Sequence, residues 1–231
     1  MCGIIALFGE EVEAGYHLLH HRGPDDYSTR TLGKCRMDFY RLAINDLTPS
    51  GMQPFKSEKS MLICNGEIYN HKKFRTGIEK GTSDCEVLIP MIEYFGVLET
   101  LDAITGDFAF VYSDGKKVIA ARDPVGVRPL FYTRYAENSI AFASEVKALL
   151  FLNSKIDIFP PGHIYDSYLD DFVCYHSGYW RVNKYVNDCT RDEMRQTFER
   201  SVHERLATTE RDIGFLLSGG LDSSLIASIA T

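Results

Sequence analysis

The chain has 231 residues, of which 45% are hydrophobic and 25% charged, and its formal net charge is −7. This balance is typical of a globular protein with one large domain, or with one domain and part of a second. The negative charge argues against a surface for nucleic acid or an anionic membrane, and no apolar run approaches the ~18 residues of a membrane span.

The N-terminal apolar run, residues 3–9, is too short for a secretion signal and has no basic residues before it. We therefore expect a cytoplasmic protein with reduced thiols. The cysteines show neither a CxxC pair nor the spacing of metal ligands, so we expect no metal site. They are Cys2, Cys35, Cys64, Cys85, Cys174 and Cys189.

Cys2 would become the N-terminal residue if Met1 were removed, and a small side chain at position 2 suits that removal. A thiol of pKa ~8.5 is only about 3% ionised at pH 7, whereas an α-amine of pKa ~7.8 is roughly a tenth neutral. The residue's own amine could therefore activate its thiol as a nucleophile. Alternatively, Cys2 is a small hydrophobic residue at the start of a buried strand.

Two polar segments follow the first predicted strand. In "LLHHRGPDD" (residues 18–26), an apolar helical stretch is predicted to end in a turn at Gly23 and Pro24. His20 and His21 are adjacent, so they cannot share a helix face as metal ligands would. Arg41, in "YRLAIND" (residues 40–46), could bind a substrate carboxylate through two parallel hydrogen bonds, or it could simply be solvated.

The segment "MLICNGEIYN" (residues 61–70) predicts a short strand over residues 61–64 that ends at a tight turn. At such a turn the Asn65 side-chain amide and the Gly66 N–H could point at one spot and stabilise an oxyanion. The alternative is an ordinary Asn-Gly hairpin turn without a catalytic role.

The segment "GTSDCEVLIPMIEYFG" (residues 81–96) predicts a helix with apolar residues at helical period. Ser83 and Glu86 have the spacing of a capping box, and Pro90 is expected to kink the helix or end its first segment. Asp84 lies in the first turn, where the helix dipole favours a carboxylate. It could alternatively bind a substrate ammonium group.

Hairpins dominate the centre of the chain. The stretches 107–123 and 129–144 each predict two strands around a short turn, and Phe108, Phe110 and Tyr112 alternate with smaller apolar residues. Few helices are predicted. This pattern indicates antiparallel sheets covered by helices.

The last forty residues have a different pattern. Residues 190–206 predict an amphipathic helix with a Thr190–Glu193 capping box. Residues 213–231 then predict an apolar strand over 213–217, a glycine loop and the start of a helix. Such a loop can surround a phosphate with backbone N–H groups, or it can be a plain strand–helix turn.

Taken together, these motifs resemble the glutaminase domain of the class II glutamine amidotransferases, which are N-terminal-nucleophile hydrolases. The resemblance covers about residues 2–185 and continues in motifs similar to asparagine synthetases. The motifs are Cys2-Gly3-Ile4, "HRGPD" (21–25), "RLAI" (41–44), "NGEIYN" (65–70), "SDCE" (83–86), "RDPVGVRPLFY" (122–132), "FASEVKALL" (142–150) and "FPPGH" (159–163).

The resemblance implies an α+β fold, an αββα sandwich of antiparallel sheets, over residues 1–185. It implies that Cys2 is the nucleophile with its α-amine as base, and that Asn65 and Gly66 form the oxyanion hole. The implied glutamine-binding residues are Arg41 for the α-carboxylate, Glu67 and Asp84 for the α-amino group, Asn65 and Gly66, and the backbone around Leu42 and Ile44.

The motif "SGGLDSS" (218–224) resembles the pyrophosphate-binding loop of ATP pyrophosphatases. Residues 186–231 would then be the incomplete start of an α/β ATP-pyrophosphatase domain. We expect the chain to be an N-terminal fragment with residues after about 190 poorly packed. The implied ATP-binding residues are Leu217, Ser218, Gly219, Gly220, Leu221, Asp222 and Ser223.

The resemblance implies glutamine-dependent asparagine synthesis as the parent activity, with ATP as a substrate and Mg²⁺ in the complete enzyme. Ammonia from glutamine would amidate aspartate, giving AMP and pyrophosphate, and this chain alone would be a glutaminase that needs no cofactor. Expected partners are glutamine, aspartate, ATP and the remaining synthetase domain, and a homodimer is allowed. The alternatives are another class II amidotransferase and a non-catalytic remnant that binds a partner.

Overall fold

The computed structural model describes residues 1–10, 12, 16–75, 77, 81–177 and 189–231. Within these residues, two six-stranded antiparallel sheets form the body of the molecule. The first sheet contains, in spatial order, β10 (Asp157–Ile158), β8 (Phe131–Ala136), β9 (Ser139–Ala143), β1 (Gly3–Phe8), β3 (Cys35–Arg41) and β2 (Asp26–Leu32). The second contains β12 (Asp171–Cys174), β11 (His163–Asp166), β7 (Val118–Arg122), β6 (Gly106–Ser113), β5 (Met61–Ile68) and β4 (Phe55–Lys56).

Four α-helices and several 3₁₀-helices accompany the sheets in the described residues. The α-helices are α1 (Leu88–Phe95), α2 (Val97–Ala103), α3 (Arg191–Leu206) and α4 (Leu221–Ala230). The 3₁₀-helices span Tyr16–Arg22, Pro49–Gly51, His71–Phe74, Asp84–Val87, Val146–Ala148 and Leu150–Leu152.

The two sheets pack face to face over an apolar core. Strand β6 shows how the sequence pattern builds it: Ala109 and Val111 face the other sheet, whereas Phe108, Phe110 and Tyr112 face the layer of α1 and α2. Side chains alternate along a strand, so one hairpin serves two apolar clusters. The predicted hairpins of residues 107–123 and 129–144 are confirmed as β6–β7 and β8–β9.

The outer layers complete the predicted αββα sandwich, and its two antiparallel sheets are confirmed. Helix α1 packs on the second sheet. The outer face of the first sheet is covered by 3₁₀-helices, through Leu19, Ala148 and Leu149 packed against Ile5 and Leu7. The predicted apolar helical stretch before residue 23 is therefore a 3₁₀-helix, not an α-helix.

The C-terminal elements agree only in part with the predictions. Helix α3 begins with the predicted Thr190–Glu193 capping box, and α4 follows the glycine loop. The strand predicted over residues 213–217 is wrong, because these residues form no ladder with any described strand. A strand needs a neighbour to pair its backbone groups, and a helix does not. The domain boundary predicted at residues 185–186 lies outside the described residues.

Candidate active site

A solvent-open cavity of about 480 Å³ lies between the start of β1, the end of β3 and the second half of β5. Every residue that the sequence analysis assigned to the glutamine pocket lines it. They are Cys2, Arg41, Leu42, Ile44, Asn65, Gly66, Glu67 and Asp84.

Cys2 lies directly before β1, and its backbone and thiol are both held by other segments. Its carbonyl accepts a hydrogen bond from Arg22 Nε at 2.9 Å, while Sγ lies 3.5 Å from the Leu42 carbonyl oxygen and 3.4 Å from the Leu42 amide nitrogen. Burial raises the pKa of the Cys2 thiol. The thiol is therefore protonated at neutral pH and needs a base to become a nucleophile.

Met1 also lines the cavity, so the amino end of the chain is inside the site. Burial lowers the pKa of the Met1 α-ammonium group. An amine in this environment is more readily neutral than one in water, and a neutral amine can accept a proton. The environment thus suits an α-amine that acts as a base.

The tight turn predicted at Asn65 and Gly66 is wrong. Strand β5 continues through both residues, which pair with Ala109 and Phe108 of β6. A Cβ at position 66 would collide with the Asp107 carbonyl oxygen. The glycine is needed because the neighbouring strand approaches closely, and not because the chain turns.

The straight strand still directs both predicted donors to the cavity. The N–H groups of Cys64 and Ile68 point away from β6, to Gln53 Oε1 and Asp84 Oδ2, each at 2.6 Å. Because backbone N–H groups alternate sides along a strand, the N–H of Gly66 points to this same edge. Among the described residues, the buried Nδ2 of Asn65 has no hydrogen-bond partner.

Arg41, the last residue of β3, is buried in the cavity wall. Its Nη1 donates to the Thr48 carbonyl oxygen at 2.8 Å, and its Nη2 donates to the Asp46 carbonyl oxygen. A Cβ on Gly51 would collide with this guanidinium group. The loop after β3 therefore fixes the position of one positive charge at the cavity.

Asp84, the first residue of the 3₁₀-helix Asp84–Val87, is also buried in the cavity wall. Burial above all, together with the nearby Glu67 carboxylate, raises its pKa to about 6, although the Ile68 N–H donates to Oδ2 at 2.6 Å and favours the ionised form. The two carboxylates thus carry an electrostatic cost that a bound cation would reduce.

The predicted capping box of this helix is wrong. The Ser83 side chain makes no capping bond, and the Glu86 carboxylate accepts from the Gly81 N–H at 3.0 Å. A 3₁₀-turn, Asp84–Val87, comes first, and α1 begins at Leu88. Pro90 is the third residue of α1, in the first turn, where its missing N–H costs no intrahelical hydrogen bond, so the helix does not end at the proline.

The sequence analysis assigned no role to Arg128, which also lines the cavity and donates from Nη2 to Glu67 Oε1 at 3.2 Å. The Asp123 carboxylate accepts from three successive N–H groups of the preceding loop and, at 3.1 Å, from the N–H of Arg128. Arg122 Nε donates to the Arg128 carbonyl oxygen at 2.7 Å. The "RDPVGVR" motif was the only sequence signal for this loop.

The predicted ATP loop is separate from the cavity and exposed. Gly219 has a φ of +83°, and Gly220 is the N-cap of α4. Ser218 Oγ lies 3.1 Å from Ser223 Oγ. Backbone N–H groups at this helix N-terminus fit the geometry expected of a phosphate site.

Neither a metal centre nor a membrane helix is seen in the part of the chain that the structure describes. No three histidine, cysteine or acidic residues there lie close enough to hold a metal ion together. None of the described helices is long and apolar enough to cross a membrane. His21 instead lies 2.9 Å from Glu145 Oε1.

Comparisons with protein families match two parts of the chain. Residues 1–174 match the family described as "Glutamine amidotransferase domain". Residues 193–231 match the family described as "Asparagine synthase". Together the two matched ranges contain both the cavity and the glycine loop.

The chain aligns with curated relatives over its whole length. It is 39% identical to an asparagine synthetase [glutamine-hydrolyzing] 3 of Arabidopsis thaliana, covering 100% of this chain and 42% of the relative. It is 41% identical to a probable asparagine synthetase [glutamine-hydrolyzing] of Schizosaccharomyces pombe, covering 100% and 45%. The chain thus spans less than half the length of these relatives.

Solved structures support the fold alone. A glutamine phosphoribosylpyrophosphate amidotransferase from B. subtilis, complexed with ADP and GMP, superimposes with a TM-score of 0.62 at 22% identity. The match covers 71% of this chain and 47% of that one. At this identity the likeness shows a shared sandwich and not a shared reaction.

Proposed function

This chain belongs to the glutamine amidotransferase domain family, and from that premise we propose that it hydrolyses glutamine through a thioester on Cys2. One observation carries the proposal: Cys2, the Asn65 side-chain amide, Gly66, Arg41 and the carboxylates of Glu67 and Asp84 line one cavity. These groups match glutamine, which has an amide at one end and an ammonium and a carboxylate at the other.

The first step is nucleophilic attack on the side-chain amide. With Met1 removed, the α-amine of Cys2 takes the thiol proton, and the thiolate forms a bond to the amide carbon. The carbonyl electrons move to oxygen, where Asn65 Nδ2 and the Gly66 N–H donate hydrogen bonds. Both donors lie at the cavity edge of β5, which is what the oxyanion needs.

The next steps release ammonia and regenerate the thiol. The carbon–nitrogen bond breaks as the protonated α-amine gives its proton to the leaving nitrogen, which leaves a γ-glutamyl thioester. The amine then takes a proton from water, and the hydroxide formed attacks the thioester carbon. The carbon–sulfur bond breaks, the sulfur recovers the proton from the amine, and glutamate leaves.

The charged groups at the other end of the cavity would orient the substrate. We assign the α-carboxylate to Arg41, whose guanidinium group is already fixed by two backbone carbonyls. We assign the α-ammonium group to Glu67 and Asp84, with Leu42 and Ile44 as the backbone wall. Binding the cation also offsets the cost of the buried Asp84 carboxylate beside Glu67.

The experiment that tests this function is covalent labelling. An L-glutamine analogue with an electrophilic carbon in place of the amide should modify Cys2, in step with the loss of ammonia release. Cys64 and Cys85 are the strictest internal controls, since both thiols line the same cavity. Loss of activity accompanied by modification of another cysteine would contradict the assignment.

We propose further that the ammonia serves asparagine synthesis in the complete protein. The match of residues 193–231 to asparagine synthase supports this, as does the loop "SGGLDSS" before α4. ATP would activate aspartate as an aspartyl adenylate, releasing pyrophosphate, and the ammonia would displace AMP. The loop suits phosphate, and Mg²⁺ would neutralise the phosphates when bound; we assign it no ligand from this chain.

A different acceptor is the competing proposal, because a phosphoribosylpyrophosphate amidotransferase shares the sandwich. The glycine loop at 218–224 favours asparagine synthesis. We expect this chain alone, in the cytoplasm, to form glutamate and ammonia without asparagine or pyrophosphate. Product analysis with glutamine, aspartate, ATP and Mg²⁺ tests this, and formation of asparagine and pyrophosphate by the 231-residue chain would contradict it.

A further inference from the structure

The segment that follows α3, residues 208–211, lies against the cavity although it is far from the cavity residues in the chain. Its first residue, Thr208, is 4% exposed, whereas most of α3 is exposed. Arg205, near the end of α3, places its guanidinium group 4.7 Å from the ring centroid of Tyr69, just after β5. A cation–π contact of this kind holds the end of α3 near the sandwich.

Three hydrogen bonds join this segment to the loop after β3. Glu210 donates from its N–H to the Ile44 carbonyl oxygen at 3.0 Å and accepts from the Asp46 N–H at 3.2 Å. Arg211 Nε donates to the Ala43 carbonyl oxygen at 3.0 Å. The same loop supplies the carbonyl groups that hold Arg41, so the segment supports the carboxylate end of the pocket.

Thr208 contacts Glu67, a carboxylate that we assign to the substrate α-ammonium group. The Thr208 hydroxyl oxygen lies 3.2 Å from Glu67 Oε2 and 3.0 Å from the Arg205 carbonyl oxygen, so its one proton is within reach of both acceptors, while Arg128 Nη2 donates to Glu67 Oε1 at 3.2 Å. Two distant parts of the chain thus contact the two oxygen atoms of the Glu67 carboxylate. Such a carboxylate has one orientation toward a ligand, whereas a singly held one can rotate.

From these contacts we propose that residues 208–211 form part of the glutamine pocket, and that Thr208 is a positioning residue for the substrate α-ammonium group. Thr208 acts through Glu67, which it orients together with Arg128. This inference rests on the proposed function, and it assigns a role in glutamine recognition to a segment beyond the matched residues 1–174.

The experiment compares Thr208→Val with Thr208→Ser in the 231-residue chain. Valine keeps the shape and removes the hydroxyl group, and serine keeps the hydroxyl group. We expect the valine variant to raise the KM for L-glutamine about five- to tenfold, with kcat within about twofold of wild type. The serine variant should restore the wild-type KM.

A second ligand separates positioning from general damage to the fold. Glutaramate is glutamine without the α-ammonium group, so its inhibition constant should change less than about twofold in the valine variant. Thr100→Val is the matched control, because it removes a buried hydroxyl group that donates to the Gly96 carbonyl oxygen away from the cavity. It should change neither constant.

The outcomes distinguish the two proposals. An equal rise in the KM for glutamine and in the inhibition constant of glutaramate would overturn the role of Thr208 and leave the glutaminase in place. An unchanged KM in Thr208→Val would do the same. A wild-type chain that is folded, lacks Met1 and releases no ammonia from glutamine would overturn the proposed function, and the inference with it.

Discussion

The candidate sites of the sandwich and of the C-terminal region are built in different ways. The cavity combines residues from the segment before β1, from β3 and β5, and from the turn before α1, and most of them are buried. The glycine loop at 218–224 is a local loop-to-helix sequence that is exposed, with Leu216 just before it at 97% and Leu221 within it at 80%. A convergent site needs a packed core, and a backbone phosphate loop needs only its own glycines and a helix start.

The same difference, between structure that forms locally and structure that needs distant partners, is seen within the C-terminal region. Helix α4 makes its backbone hydrogen bonds within itself, so it needs no neighbouring strand, and it lies against α3. Residues 213–217 would need a neighbouring strand and do not form a ladder within the described part of the chain. Within this mostly exposed region, the segment 208–211 differs because side-chain contacts anchor it to the sandwich.

The largest expected effect comes from Cys2→Ala. It removes the nucleophile and little volume, so glutamine hydrolysis should fall at least ~10⁴-fold while the fold is kept. Ammonia release and circular dichroism measure the two properties. Cys174→Ala, at an exposed position on β12, is the control and should keep full activity. Appreciable hydrolysis by Cys2→Ala would move the nucleophile elsewhere.

Asn65→Ala should have the next largest effect. It removes one of two oxyanion donors, so kcat should fall on the order of 10²–10³-fold with a smaller change in KM. The unpartnered Nδ2 of Asn65 means that no other hydrogen bond of that atom within the described structure is lost. Steady-state kinetics give the answer. A variant with raised KM and normal kcat would contradict the oxyanion assignment.

Asp84→Asn should affect binding more than chemistry. Loss of one carboxylate should raise the KM for glutamine about tenfold or more, and Arg41→Ala should do the same from the carboxylate end. Since burial raises the pKa of Asp84 to about 6, the wild-type KM should also rise as the pH falls through 6. The asparagine variant should lack that inflection, and an identical pH profile would exclude Asp84 as its source.

Asp84→Asn should weaken substrate binding, but it should not lower the stability of the fold. The pKa of Asp84 is about 6 in the folded protein against an ordinary value of about 3.8, so its ionisation destabilises the fold. This destabilisation is absent below about pH 3.8 and complete above about pH 6. Asp84→Asn should therefore have a Tm at pH 7 at least equal to that of wild type. A clearly lower Tm would show that the charge is compensated.

The smallest effects should come from the exposed C-terminal residues. They test the difference in packing between the core of the sandwich and the C-terminal region. Phe110→Ala, in the fully buried centre of β6, should lower the free energy of unfolding by about 3–5 kcal/mol. Leu216→Ala should change it by less than about 0.5 kcal/mol. Denaturant titration of both variants is the measurement. Similar losses in the two variants would show that the C-terminal region is packed in solution.

Much of the sandwich was predictable because its signals are local. Alternating residues in β6 and β8 defined the hairpins, and the ordered motifs placed eight residues in one pocket. The Asn65–Gly66 turn was wrong because a local turn signal was outweighed by pairing with β6 over its full length. Arg128 and Thr208 could not be assigned, because their contacts with Glu67 join parts of the chain 61 and 141 residues away.

The central claim is that the cavity is a glutaminase whose base is the α-amine of Cys2. The most direct test is ammonia release from glutamine by two forms of the protein, with intact mass used to verify each N-terminus. The form without Met1 should hydrolyse glutamine, and the form that retains Met1 should not, because its Cys2 nitrogen is an amide that cannot accept the thiol proton. Equal hydrolysis by both forms would contradict the account.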